Sequence, residues 1–124
     1  MLKLSMGEVL NINNALSRII KEKIKYSTAR KIKNIIRKIE PELKDFEDNR
    51  VELIKKYGKQ SEDKIEILPN TLEAINFTQE FNDSILTEIS LDLNPETDLL
   101  TDPDMENLLI STEDLIYIEK LIKE

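Results

Sequence analysis

Ile32, Ile36, Ile39, Leu43, Phe46, Arg50, Leu53 and Tyr57 follow one another at alternating steps of four and three residues. A stripe this long on one helical face needs an apolar partner along most of its length, which restricts the chain to packed helices. Two partners meet that need. One is the upstream run Val9, Ile12, Leu16, Ile19, Ile20 and Ile24, which spaces its apolar residues mostly at helical steps and folds back as a hairpin. The other is a second copy of the chain, which makes a homo-oligomer the alternative. The upstream helix starts at the capping box Ser5-Met6-Gly7-Glu8 and runs to about Ile24, and Tyr26-Ser27-Thr28 supplies the cap of the long one. Pro41 lies inside the stripe without shifting its phase, so the long helix is predicted to kink or to break briefly there. Gly58 suits a left-handed C-terminal position, with Lys55, Lys56 and Lys59 at the negative end of the helix dipole.

Residues 59 to 124 change character. Lys64 to Leu68 alternates like a strand, and Pro69 ends it; Asn70-Thr71-Leu72-Glu73 then caps a helix whose buried stripe is Ala74, Phe77, Phe81 and Ile85. The period drops to two at Glu88 to Leu93, as Leu2-Lys3-Leu4 also alternates near the start, and Leu108-Leu109-Ile110 reads as one more short strand. Asn94-Pro95 and Asp102-Pro103 bracket an acidic loop. Ser111 caps a last helix with Leu115, Ile118, Leu121 and Ile122 on its apolar face and an Ile110–Leu115 staple. The expected fold class is α+β, helix-dominated: an antiparallel helical hairpin with a kinked long helix, a small sheet of short strands and a C-terminal helix. At 124 residues this makes a single domain, with a basic hairpin half (1–58) and an acidic α+β half (59–124).

The chain has no His and no Cys, which removes Ser-His and Cys-His catalysis, disulfides and the usual zinc sites. No Gly-rich phosphate loop is present. Carboxylate pairs are frequent, but in a chain that is 35% charged chance pairs are expected. We therefore expect no catalytic residue, no cofactor and no enzyme. The oxygen-rich set Asp98, Asp102, Asp104 and Glu106 is the best metal candidate, yet it lacks the glycine and the spacing of a calcium loop and reads as a solvated acidic turn. The start, MLKLSMGEVL, does not read as a secretory signal, and no apolar run approaches the length of a membrane span.

Charge is unevenly distributed. Residues 1 to 60 hold 15 basic and 8 acidic side chains, whereas residues 61 to 124 hold 3 and 17. The net charge of −7 opposes nonspecific nucleic-acid binding, and no aromatic row accompanies the cations to stack bases. The two halves are expected to face each other, within the fold or in a neighbouring subunit, and partly cancel. Lys33, Arg37 and Lys44 lie off the stripe, and with Arg30 they suit docking of an acidic protein; Asp98, Asp102, Asp104 and Glu106 form the corresponding acidic candidate surface. Arg50 alone interrupts its own stripe, and the reading preferred is a solvated side chain near Glu47 over a buried pair with the acidic half.

The segment Ile39-Glu40-Pro41-Glu42-Leu43-Lys44-Asp45-Phe46-Glu47-Asp48-Asn49-Arg50, followed by Leu53-Ile54-Lys55-Lys56-Tyr57-Gly58, resembles a group of small proteins encoded by bacteriophages and prophages of low-GC Gram-positive bacteria. The likeness continues in Glu80-Phe81-Asn82-Asp83-Ser84-Ile85-Leu86 and the acidic strand after it, over residues 27 to 93, although 59 to 71 lack the Gly-bearing hairpin expected of that group. It implies a phage origin and no catalytic residue. The expected function is that of a nonenzymatic phage protein, virion-associated or assisting virion assembly, acting through protein contacts in the host cytoplasm or the virion. The alternative is a counter-defence protein that blocks a host immunity effector with an acidic, phosphate-mimicking surface. The partner is then a viral structural subunit or a host effector, with no membrane; a regulator that binds DNA through residues 18 to 44 is a third and weaker reading.

Overall fold

The computed structural model describes residues 2–61, 63–106 and 108–123. It is α+β and helix-dominated, in the order β1 (Leu2–Ser5), α1 (Met6–Ile19), α2 (Tyr26–Tyr57), β2 (Lys59–Ser61), β3 (Lys64–Glu66), α3 (Leu72–Leu86), β4 (Glu88–Leu91), α4 (Asp102–Met105) and α5 (Thr112–Ile118), closed by a 3₁₀ turn at Glu119–Leu121.

Ser5 ends β1 and starts α1 in one residue. Its hydroxyl accepts from the Glu8 amide at 3.1 Å while the Glu8 carboxylate accepts from the Ser5 amide at 3.0 Å, so two orphan donors of the first turn are satisfied reciprocally. The helix stops at Ile19, short of the predicted Ile24, because the chain must reverse before α2; Ile24 still packs against the core from the connecting turn. The predicted cap Tyr26-Ser27-Thr28 is not used. Lys25 precedes the first turn with no side-chain bond, and Thr28 is buried and donates its hydroxyl to the Asp104 carbonyl at 2.9 Å.

Helix α2 runs unbroken through Pro41. The carbonyl deprived of a donor belongs to Arg37, and both Arg37 and Pro41 lie on the exposed side, where water can satisfy it. At 32 residues α2 is more than twice as long as the 14-residue α1, so α1 covers only its N-terminal part. Further along, α3 takes over: Phe46 packs on Phe81 with ring centroids 5.6 Å apart, and the Tyr57 hydroxyl donates to Glu80 at 2.9 Å. Much of the stripe is thus partnered within the chain. Arg50 bonds to Glu47 through Nε at 2.9 Å, the solvated arrangement preferred from sequence.

Gly58 corrects another expectation. Its φ of −84° is extended, not left-handed. A Cβ at Gly58 would come within 2.5 Å of both the Ile54 carbonyl oxygen and Ile65 Cγ2, so glycine is needed for close approach between the end of α2 and the β2–β3 ribbon. Gly58→Ala is expected to cost about 1–3 kcal/mol through overpacking. A lowered denaturant midpoint with an unchanged slope would show it.

The strands form two separate antiparallel ribbons. In one, β1 pairs with β4 in the register Leu2↔Leu91, Lys3↔Ser90, Leu4↔Ile89 and Ser5↔Glu88, and in the other β2 pairs with β3. Leu108–Ile110 forms no strand; the remaining bridge is parallel, Leu100 to Ile122, with the Leu100 amide donating to the Leu121 carbonyl at 2.8 Å. That bridge draws Leu100, Ile118 and Leu121 into the core formed by Leu4, Val9, Ile12, Leu16, Ile19, Ile32, Ile35, Ile39 and Leu91. Thr71 caps α3 and Ser111 caps α5, each accepting from the amide three residues on. The Phe77 and Phe81 stripe of α3 is half-buried rather than buried, and Leu115 of α5 is exposed. Residues 102–105, expected within a loop, form one helical turn, because Thr101 and Asp104 make a second capping box and Pro103 sits in the first turn where its missing donor costs nothing.

Candidate functional site

The cations of the first half divide by helical face. Lys31 and Lys38 are seven residues apart on α2, so they share a face, and that face meets the acidic half: Lys31 Nζ is 2.6 Å from Asp104 and Lys38 Nζ is 3.8 Å from Asp92. Lys25 reaches Glu106 at 3.3 Å, Lys56 reaches Glu80 at 3.1 Å, and Arg18 clasps Asp114 through Nε and Nη2. With Lys120 reaching Glu8 at 2.6 Å in the opposite sense, six ion pairs join the basic half to the acidic half among the described residues.

Two of these pairs are partly buried. Asp104 accepts from Lys31, from the Thr101 amide at 2.8 Å and from the Thr101 hydroxyl at 2.9 Å. Burial alone would push its carboxyl up, but these donors outweigh burial and hold it below the usual aspartate value. The guanidinium of Arg18 likewise lowers Asp114, against the opposing effect of burial. Both carboxylates are anchored in their ionised form, the wrong state for a general acid at neutral pH.

The proposed acidic site is accordingly not a shared cluster. Asp104 is buried against Lys31, Glu106 pairs with Lys25, Asp98 accepts from the Asn94 amide at 2.8 Å to close its own turn, and Asp102 is exposed. Among the described residues no group of three acids is placed to hold a metal ion. Asp98, Asp104 and Glu106 are local or interhalf partners, which spacing along the chain alone does not reveal.

Arg30, Lys33 and Arg37 behave differently. They recur at steps of three and four on the outer face of α2, all are exposed, and among the described residues none has an acid within ion-pair distance. Lys44, another exposed and unpaired cation, continues the stripe about 10 Å further on. The stripe is a ridge between two grooves. On one side Tyr26, Arg30, Lys33, Asn34 and Arg37 face Thr97 and Asp98 across a polar groove of about 890 Å³, with the Arg30 guanidinium 5.8 Å from the centre of the Tyr26 ring. On the other side Lys33 and Arg37 rim a second groove of about 530 Å³ whose floor is aliphatic, formed by Ile20, Ile24, Ile32 and Ile36.

The basic candidates thus come together and the acidic ones do not. The apolar groove is not legible in the sequence, where the spacing of Ile20 and Ile24 places both on the buried face of the first helix; α1 ends at Ile19, which leaves Ile20 52% exposed and Ile24 in the connecting turn. No protein family, curated protein or solved structure matches the chain. Among the described residues no helix is long and apolar enough to cross a membrane.

Proposed function

We propose that this chain is a nonenzymatic bacteriophage protein that works by contact with another protein, in the virion or during its assembly, and that the outer face of α2 makes the contact. The carrying observation is the division of the cations: Lys25, Lys31, Lys38 and Arg18 are matched by acids of the same chain, whereas Arg30, Lys33 and Arg37 stand exposed beside two grooves. An unmatched positive ridge speeds encounter with an acidic surface and selects against basic ones. The phage setting is supported by the resemblance over residues 27 to 93. The counter-defence reading has less support, since Asp104, Asp114, Glu106 and Asp92 are engaged by cations of the chain itself and do not present one continuous array of phosphate-like charge.

Tagged protein incubated with a lysate of phage-infected cells is expected to recover capsid or tail subunits. The triple variant Arg30→Glu, Lys33→Glu, Arg37→Glu is expected to recover at least tenfold less. Recovery of a host nuclease instead, or of no phage subunit, counts against the proposal.

A further inference from the structure

We infer that the outer face of α3 is a two-fold contact between two copies of this chain, their α3 helices antiparallel about Gln79. The inner face of α3 is spent on the rest of the fold, since Phe81 packs on Phe46 of α2 and Ile85 lies against Gly7 of α1. On the other side Leu72, Ile75, Gln79, Asn82 and Leu86 recur at alternating steps of three and four, and all five are exposed. That is a second heptad stripe. A lone exposed leucine is ordinary, but here Leu72 is 69%, Ile75 55% and Leu86 73% exposed along one 15-residue helix. In a chain that is 35% charged, the stripe holds no charged residue. Glu80 is turned toward Lys56 and Tyr57 of α2, and Asp83 alone borders the stripe. The shallow groove of about 550 Å³ beside Ile75 and Gln79, lined by Asn70, Thr71, Ala74 and Thr78, is likewise uncharged. An acidic partner finds no cation here, and a basic one finds only Asp83 at the edge.

The order of residues along the stripe identifies the occupant. Leu72 and Leu86 lie seven residues to either side of Gln79, so an antiparallel copy centred there sets Leu86 of each chain on Leu72 and Ile75 of the other. Within one chain Leu86 is isolated, about 16 Å along the helix from Ile75. The pairing makes it half of a closed apolar cluster, formed twice. Gln79 then meets Gln79 on the two-fold axis, and a primary amide, which both donates and accepts, is complementary to its own copy and fixes the register. On the flank Asp83 comes level with Asn76 of the other copy, a side chain that can donate to it. A parallel pair would stack Leu86 on Leu86 and bring the two positive helix ends together, which the dipoles oppose. The stripe is thus self-complementary in one orientation.

Light scattering on the full chain is expected to give twice the 14.5 kDa of one copy. Ile75→Asp and, separately, Leu86→Gln are expected to raise the dimer dissociation constant at least tenfold with the helical circular dichroism unchanged, because both side chains are exposed. Leu109→Asp, exposed elsewhere, is expected to dimerise as wild type does. The chain has no cysteine, so single cysteines report the arrangement. Gln79→Cys is expected to form a covalent dimer on oxidation. Leu72→Cys is not, because antiparallel packing holds the two positions about 21 Å apart, far beyond the roughly 7 Å that a disulfide spans between Cα atoms. A monomer at every concentration, or a dimer that Ile75→Asp leaves intact, would overturn the inference. So would growth past two copies that Ile20→Asp abolishes, which would place α3 in the groove beside α2 of the next chain. Crosslinking of Leu72→Cys, or failure of Gln79→Cys to crosslink in a chain that dimerises, would overturn the antiparallel register. None of these outcomes bears on the contact assigned to α2, whose residues lie off the stripe.

Discussion

Asp104→Ala is expected to destabilise the fold by about 2–4 kcal/mol, the range for removing one partner of a largely buried ion pair, reduced here because Lys31 is partly solvated. The Asp104 side chain is 9% exposed and that of Lys31 is 26% exposed. Alanine would leave Lys31 unmatched and would free two Thr101 donors, the amide and the hydroxyl, at the start of α4. It would also loosen the turn whose carbonyl accepts from buried Thr28. Asp104→Asn keeps an acceptor for Thr101 and removes only the charge, so about half of that loss is expected. Chemical denaturation at pH 7 should rank the three proteins in that order, and equal stability of Asp104→Ala and wild type would refute the anchoring role.

The same carboxylates set the acid limb of the stability curve. Asp104 and Asp114 are held below their ordinary values in the folded chain, and Glu8 is lowered by Lys120 and by the Ser5 amide. The unfolded chain therefore binds protons more readily than the folded one as the medium is acidified. Their contribution is complete above the unfolded values, near pH 4, and is lost as pH falls through the lower folded values. Asp104→Asn should show a shallower loss of stability over that window than wild type does.

How far the sequence could be read depends on the range of the interaction that decides each feature. The caps at Ser5, Thr71 and Ser111 are decided within three residues, and all three were legible. The strands at 2–5 and 88–91 were legible one by one from their alternation, but their pairing joins residues more than 80 positions apart, and nothing local states it. Thr28 was misread for that reason: it looks like part of a cap and is held by the Asp104 carbonyl, 76 positions on. Gly58 does end α2, its amide donating to the Ile54 carbonyl, but its conformation is extended because Ile65 of the following ribbon approaches it. Of the candidate site, the cations Lys33, Arg37 and Lys44 could be placed from periodicity. Knowing that Lys31 and Lys38 are matched and these three are not required the fold of the acidic half.

Ile35→Ala should cost about 3 kcal/mol or more, and its neighbour Ile36→Ala only about 1 kcal/mol, although both remove the same atoms. The spacing of four and three along α2 selects Ile36 for the core and passes over Ile35. In the fold Ile35 is fully buried among the core residues while Ile36 is half-buried at the edge of the groove. A strict seven-residue stripe follows a period of 3.5, whereas a straight helix turns once in 3.6 residues, so the buried face drifts away from the stripe as the helix lengthens. It also changes partner, from α1 to α3. The buried set Thr28, Ile32, Ile35 and Ile39, at steps of four, three and four, is the part of α2 that meets α1 and α4. Truncating Ile35 leaves a cavity in that contact that its neighbours cannot fill, whereas truncating Ile36 deepens a groove already open to water. Equal losses from the two variants would mean that the seven-residue stripe, and not the shorter α1, defines the packed face, and a second copy of the chain would again be needed to cover it.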